Sequence, residues 1–149
     1  MPMGPIVLER MDDRLDAIET AFVTALSTRI IKRELMHFDD HEEAEINAGV
    51  LMIASQGEGN YSESLGMVAK EGTQRLLLIG HLKLAEAASS LDVENAEIDF
   101  IEELKAALRL GVDGLSFSLK NVEQSAQLDK PYGWFVASVD AGPPLQNSY

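Results

Sequence analysis

Thr73-Gln74-Arg75-Leu76-Leu77-Leu78-Ile79-Gly80-His81-Leu82-Lys83-Leu84 is the stretch on which the fold turns. Alternate side chains of an extended chain point to opposite faces, so Leu76, Leu78, Leu82 and Leu84 share one face and Leu77, Ile79, His81 and Lys83 the other. A strand apolar on both sides at its start and half-exposed at its end belongs in the middle of a sheet. Beyond it, Ile98, Ile101, Leu104 and Leu108 recur at helical spacing, and a helix is expected over Asn95 to Leu110. Asn95 or Asp92 suits its start, and Gly111 suits the left-handed residue that ends a helix. Its carboxylates come early and Lys105 and Arg109 late, as the helix dipole favours. Two alternating segments follow: Leu115, Phe117 and Leu119 between Ser116, Ser118 and Lys120, then Gly133 to Asp140, where Phe135, Ala137 and Val139 oppose Trp134, Val136 and Ser138. They read as antiparallel neighbours joined around Asp129-Lys130-Pro131-Tyr132-Gly133.

Upstream, Leu8, Met11, Leu15, Ile18, Phe22, Leu26 and Ile30 recur every three or four residues, predicting a long amphipathic helix over Ile6–Ile31 with Pro5 ahead of its first turn. Its polar face mixes Arg10 and Arg14 with Asp13, Asp16 and Glu19, which fits a core-packing helix better than a membrane-surface one. Between His37 and Asn47 lie Asp39, Asp40, Glu42, Glu43 and Glu45, a density of like charge expected on a wet loop or exposed turn. Gly49 to Ser55 has the length and composition of a short strand. Gln56-Gly57-Glu58-Gly59-Asn60-Tyr61-Ser62 collects turn formers and reads as a surface loop or hairpin tip. The end from Ala141 to Tyr149, with Pro143-Pro144, lacks periodicity. The expectation is an α+β domain over residues 1–142, a mostly antiparallel sheet of about four or five strands flanked by two helices, with an extended tail at 143–149.

Composition narrows the function. A chain of 149 residues buries roughly 68–70% of its unfolded surface in one core. Acidic residues outnumber basic ones 25 to 12, a formal charge of −13 that repels nucleic acid from the average surface. The absence of cysteine excludes disulfides, thiolate metal sites and a cysteine nucleophile. Met1-Pro2-Met3-Gly4-Pro5 is not a basic segment followed by an apolar one, and no apolar run approaches the roughly 20 residues that span a bilayer. A soluble chain made in the cytoplasm, with no membrane partner, is the expectation.

No constellation of reacting groups stands out. His37 and His41 are four apart beside Asp39, Asp40 and Glu42, yet the glutamate that directly follows the first histidine in zinc-protease helices is missing, and no third ligand is evident. Gly57-Glu58-Gly59-Asn60 has glycines without the Gly-Lys-Ser/Thr of a phosphate loop, and Glu58 opposes an anion. Ser64-Leu65-Gly66 is no nucleophile elbow, and His81 lies in an apolar strand without a sequence-local acid. Tyr132, Trp134 and Phe135 have only Lys130 nearby, so the electrostatic half of single-strand binding is lacking and packing or a subunit contact is the better reading. No cofactor is called for.

The opening helix Ile6–Ile31, the strand Thr73–Leu84, the helix Asn95–Arg109 and the closing Gly133-Trp134-Phe135-Val136-Ala137-Ser138-Val139-Asp140 come in an order that resembles the tail-terminator family of long-tailed bacteriophages, to which the minor tail protein U of lambda-like phages belongs. That resemblance rests on lengths and order, so it transfers no residue roles. It implies a structural virion protein, not an enzyme. Such a subunit forms a homo-oligomeric ring, hexameric in the family, that caps the tail tube, stops its polymerisation and joins it to the head-side connector at the head-tail junction. DNA passes through the lumen of such a ring without specific binding, and carboxylates lining it would limit adhesion. Asp39, Asp40, Glu42, Glu43 and Glu45 are the candidates for that lumen or for an exposed rim. Gly57, Glu58, Tyr61, Tyr132 and Trp134 are the candidate assembly contacts. The readings that compete are another connector or tail-completion protein, a non-viral oligomeric binding module, and a small metal-dependent hydrolase using His37, His41 and Asp40.

Overall fold

The computed structural model describes residues 10–59, 72–112 and 114–142. Helix α1 (Met11–Ala25) leads to strand β1 (Ile30–Lys32), a 3-10 turn (Phe38–Asp40), helix α2 (Glu43–Ala48), strands β2 (Val50–Gly59) and β3 (Thr73–Lys83), helix α3 (Ser90–Leu110), and strands β4 (Ser116–Gln124) and β5 (Tyr132–Gly142). The strands form one five-stranded sheet in the order β1-β2-β3-β5-β4. All neighbours are antiparallel except β1 and β2. The α+β class and the central place of β3 therefore stand as the sequence predicts.

Both long helices pack on one face of the sheet. Leu15, Ile18 and Phe22 of α1 and Phe100, Ile101 and Leu104 of α3 are buried against Leu51, Ile53, Leu76, Leu78, Phe135, Ala137 and Val139. Gly80 faces Phe135 across the β3–β5 ladder, and a Cβ there would lie 2.1 Å from the Phe135 ring. The missing side chain lets that ring lie flat over β3 and meet Phe100 edge-on at 4.9 Å.

Polar staples tie this layer together. Arg14 donates to Glu58 at 2.8 Å and to the Gly72 carbonyl at 2.8 Å, while the Gly72 N–H donates to the same carboxylate at 3.1 Å. The pair is nearly inaccessible to water, 1% and 7% exposed at the two side chains. Glu97, fully buried on α3, accepts hydrogen bonds from the side chains of Gln124, Ser125 and Gln127 and from the Trp134 N–H. Arg29 lies 4.3 Å from the centre of the Phe100 ring and pairs with Glu103 at 2.7 Å, tying the α1–β1 connection to α3.

Several boundaries differ from the sequence reading. The first helix ends at Ala25, and Ile30 and Ile31 belong to β1, because pairing with Val50 and Leu51 satisfies their backbone while Ile31 still packs against the core. The start expected at Ile6 lies outside the described residues. The acidic segment, expected as a wet loop or exposed turn, holds a 3-10 turn and a short helix: Ile46 is buried, Glu45 is half-buried, and Asp39, Asp40, Glu42 and Glu43 are exposed. Gln56–Gly59 continues β2 past a bulge between Ser55 and Glu58, where Gly57 takes φ +105°. Asn60, Tyr61, Ser62 and Ser64-Leu65-Gly66 lie outside the described residues, as does the tail 143–149, although Ala141 and Gly142 still pair in β5. The second helix begins at Ser90, five residues before Asn95, because Ser89 and Asp92 close a reciprocal capping box of 3.1 and 2.9 Å. Its buried stripe is Val93, Glu97, Phe100, Ile101, Leu104 and Ala107, and Ile98 is instead 38% exposed.

Candidate assembly surface

The opposite face of the sheet has apolar residues without a helix layer to match. Alternation and register place Met52, Ile79 and Val136 in one cross-strand row, Ala54, Leu77 and Ser138 in the next, and Val50, His81 and Trp134 in the row on the other side. At one end, α2 and the 3-10 turn cover the sheet: Ile46, Val50 and Met52 are buried there. Ala54, Leu77, Ile79, Trp134 and Val136 are half-buried by their strand neighbours. No helix of the described residues lies over them. An antiparallel sheet with one wet face ordinarily alternates apolar with polar, and β3 and β5 do not.

The cap at the end of this face is held by a histidine pair. His41 Nε2 and His81 Nδ1 lie within hydrogen-bond distance at 2.9 Å, with both residues 8% exposed. The Phe38 ring stacks on His81 at 4.0 Å and meets Tyr132 edge-on at 5.5 Å. Burial pushes the His81 imidazole down to about 4, with His41 and His37 adding to the effect. His41 is lowered as well, by burial first and then by Lys32, with Glu45 and Asp40 opposing. The remaining nitrogen of His41, Nδ1, is buried without a hydrogen-bond partner. Both histidines are thus neutral packing groups.

The sequence-derived candidates fall into separate places. Asp39, Asp40, Glu42 and Glu43 are exposed on the cap, while Glu45 is half-buried. Glu43 holds Lys83 at 2.8 Å and Glu45 holds Lys32 at 2.7 Å, which ties α2 to β3 and β1. The hydrogen bond to Glu43 holds the Lys83 ammonium above the ordinary lysine range. His37 and Asp40 are exposed and His41 is turned to His81, and no group of three or more potential ligands that could hold a metal ion occurs among the described residues. Tyr132 and Trp134 share the open face, two residues apart on β5. Gly57 and Glu58 sit at the far end of β2, with Glu58 turned inward to Arg14. Tyr61 lies outside the described residues. Arg14, Glu97 and the histidine pair were not anticipated as paired groups. The available signal was a charged side chain on an apolar stripe: Arg14 beside Leu15 and Ile18, and Glu97 between Val93 and Phe100.

Charge is distributed unevenly over the surface. The outer side of α1 exposes Asp12, Asp13 and Asp16, with Arg10 on Asp12 and Arg33 on Asp16, that of α3 exposes Glu94, Asp99 and Glu102, with Lys105 on Glu102, and the cap adds Asp39, Asp40, Glu42 and the Lys83-paired Glu43. Around the open sheet face the charges balance: Arg75 and Lys120 against Asp140 and Glu123, with Lys120 3.8 Å from Asp140.

The sequence matches no protein-family model and no curated protein. Among solved structures, the chain is similar to the sheath/tube terminator of an extracellular contractile injection system, PVC, in its extended state, at 11% identity and a TM-score of 0.41. The match covers 99% of this chain and 63% of that one, so the chain spans less than two thirds of that protein's length.

Proposed function

We propose that this chain is a structural subunit of a phage-type tail, a terminator that forms a ring on the finished tail tube, stops its growth and offers its other side to a head-side connector, in the manner of the lambda-like U proteins. The single observation that carries the reading is the apolar middle of the second sheet face, half-buried and overlaid by no helix of the described residues. Apolar area left in water forfeits about 25 cal/mol per Å². A contiguous patch of this kind marks a surface that another chain covers. The order of elements that resembles tail terminators adds the identity of the assembly.

The acidic cap takes a place in the same reading. Glu43 and Glu45 are committed to Lys83 and Lys32, which leaves Asp39, Asp40 and Glu42 as the exposed carboxylates that line the lumen or its rim. Negative charge there keeps passing DNA from adhering. The test is electron microscopy of growing tail tubes with and without the purified protein. Tubes capped at one end and arrested in length are expected. A variant with Asp39→Asn, Asp40→Asn and Glu42→Gln is expected to cap equally well and to retain DNA. Tubes that elongate unchanged with the protein left in solution would contradict the reading.

A further inference from the structure

We propose that the 3-10 turn Phe38–Asp40, with His41 at its end, is an acid-released latch: uptake of one proton by the His41–His81 pair turns His41 out to water and lifts Phe38 off His81, while α2 stays on the sheet. Release uncovers the end of the sheet face at His81 and Tyr132, both of which the Phe38 ring covers in the closed form. The device does not depend on the reading of the chain as a tail subunit.

The geometry leaves no room for an extra proton. A hydrogen bond between two imidazoles takes one N–H and one lone pair, whichever ring donates. Two neutral rings carry two N–H groups in all: one fills the bridge between His41 Nε2 and His81 Nδ1, and the other sits on an outer nitrogen, His41 Nδ1 or His81 Nε2. With a third proton and the bridge intact, both outer nitrogens carry N–H. His41 Nδ1 is buried without a hydrogen-bond partner, so the added charge comes with an N–H that has no acceptor, whichever ring took the proton. Breaking the bridge relieves that cost, and His41 is the side that can move. His81 is fixed inside β3 between Val50 and Trp134, whereas His41 joins the 3-10 turn to α2 through extended backbone.

The charges around the pair do not rescue it. The groups that face it are Lys32 of β1, His37 and Asp40 at the turn, Glu43 and Glu45 of α2, Lys83 of β3 and Tyr132 of β5, while Val50 and Trp134 flank His81 without charge. Glu45 and Glu43 are engaged by Lys32 at 2.7 Å and Lys83 at 2.8 Å, and Asp40 is exposed. At His41, burial and Lys32 outweigh Glu45 and Asp40. The same two ion pairs tie α2 to β1 and β3, so α2 has its own anchors when the turn leaves.

The sign follows from the closed form. Both imidazoles titrate below the ordinary 6.5 while the turn is in place, and a released His41 returns to it, so the turn is closed above pH 6.5 and opens as pH falls from there toward 4. Nuclear magnetic resonance of the full chain, with labelled histidine and phenylalanine rings, tests this from about pH 7.5 to about pH 4.5. The through-space contact between the Phe38 and His81 rings is expected to vanish as His41 takes up its proton. The Gly49 amide, which closes α2 on the Glu45 and Ile46 carbonyls, is expected to keep its protection from hydrogen exchange. Phe38→Ala removes the stack and keeps the bridge, and is expected to raise the midpoint of the His41 titration by about half a pH unit or more. His41→Gln does not titrate and its amide still reaches His81 Nδ1, so Phe38 is expected to stay on His81 about one pH unit or more further into acid.

Each other outcome overturns the latch. Titration of His41 or His81 with Phe38 still stacked shows that the pair holds the proton in place. Failure of both rings to take up a proton above about pH 4.5 shows that the turn does not yield to acid. A midpoint unmoved by Phe38→Ala, or a turn that opens at the same pH in His41→Gln, shows that the bridge and the stack do not hold it. Loss of Gly49 protection in the same step makes the event an unfolding of the cap and not the release of one turn.

Discussion

Arg14, Glu97 and His81 occupy buried positions where an apolar residue is the default, and each is tolerated through its partners. Glu97 gathers donors from the β4–β5 connection and from β5 itself, so its carboxylate fixes the end of α3 that faces Trp134. His81 is tolerated because it is neutral, and that makes stability depend on pH with a definite sign. Its folded-state value, about 4, lies below the ordinary 6.5, so the stabilisation is complete above pH 6.5 and is lost as pH falls from there toward 4. The groups facing the pair are Lys32, Glu45 and Asp40 beside His41, and His37 beside His81. Urea unfolding is expected to show wild type losing about 2 kcal/mol more than His81→Gln between pH 7 and pH 4.5. Equal slopes for the two proteins would show that the imidazole does not titrate as its burial requires. The sequence disclosed only half of this residue-scale picture. An apolar neighbourhood for His81 is legible in Leu78, Ile79 and Leu82, whereas its partner lies forty positions away in a segment whose carboxylates suggest an open loop.

At the scale of elements, the strands were the most legible part, because a period of two survives whatever packs on either face. Thr73–Lys83 and the pairing of Ser116–Gln124 with Tyr132–Gly142 follow directly from it. The helix ends were less legible. Leu26 and Ile30 keep the period of α1, so periodicity alone runs the helix through Ser27-Thr28-Arg29 into a strand whose parallel partner is out of its sight. The start of α3 was written plainly as Ser89-Ser90-Leu91-Asp92, but Leu91 is 61% exposed and gives no core-facing cue. In α2 six residues have a single buried apolar anchor, Ile46, too few to set a period. The closeness of β3 to β5 yields a sharper expectation. Gly80→Ala must push the Phe135 ring away from Phe100, and an overpacked core is expected to cost about 3 kcal/mol in urea or thermal unfolding. A cost near zero would mean that the ring has room to move, and that the β3–β5 contact is looser than the geometry shows.

For the whole molecule, the decisive asymmetry is between the two sides of one sheet. Two helices cover one side and expose Asp12, Asp13, Asp16, Glu94, Asp99 and Glu102 on their outer surfaces. The other side is apolar in its middle, balanced in charge at its edge, and capped at one end by α2 and the histidine pair. Both-sided apolarity of the central strand was visible in Leu76–Ile79, but the sequence could not say on which side the helices settle, since that depends on the hand and length of the connections. Which side lacks a helix layer among the described residues was therefore an outcome of the topology. On the proposed tail reading, the sheet face meets a neighbour and the carboxylates of the cap face the lumen or its rim. The direct measurement is a cryo-electron microscopy reconstruction of the protein bound at the end of tail tubes. The account predicts a ring in which Leu77, Ile79, Trp134 and Val136 are covered by a neighbouring chain; a ring with that face open to solvent, or no density at the tube end, would contradict it.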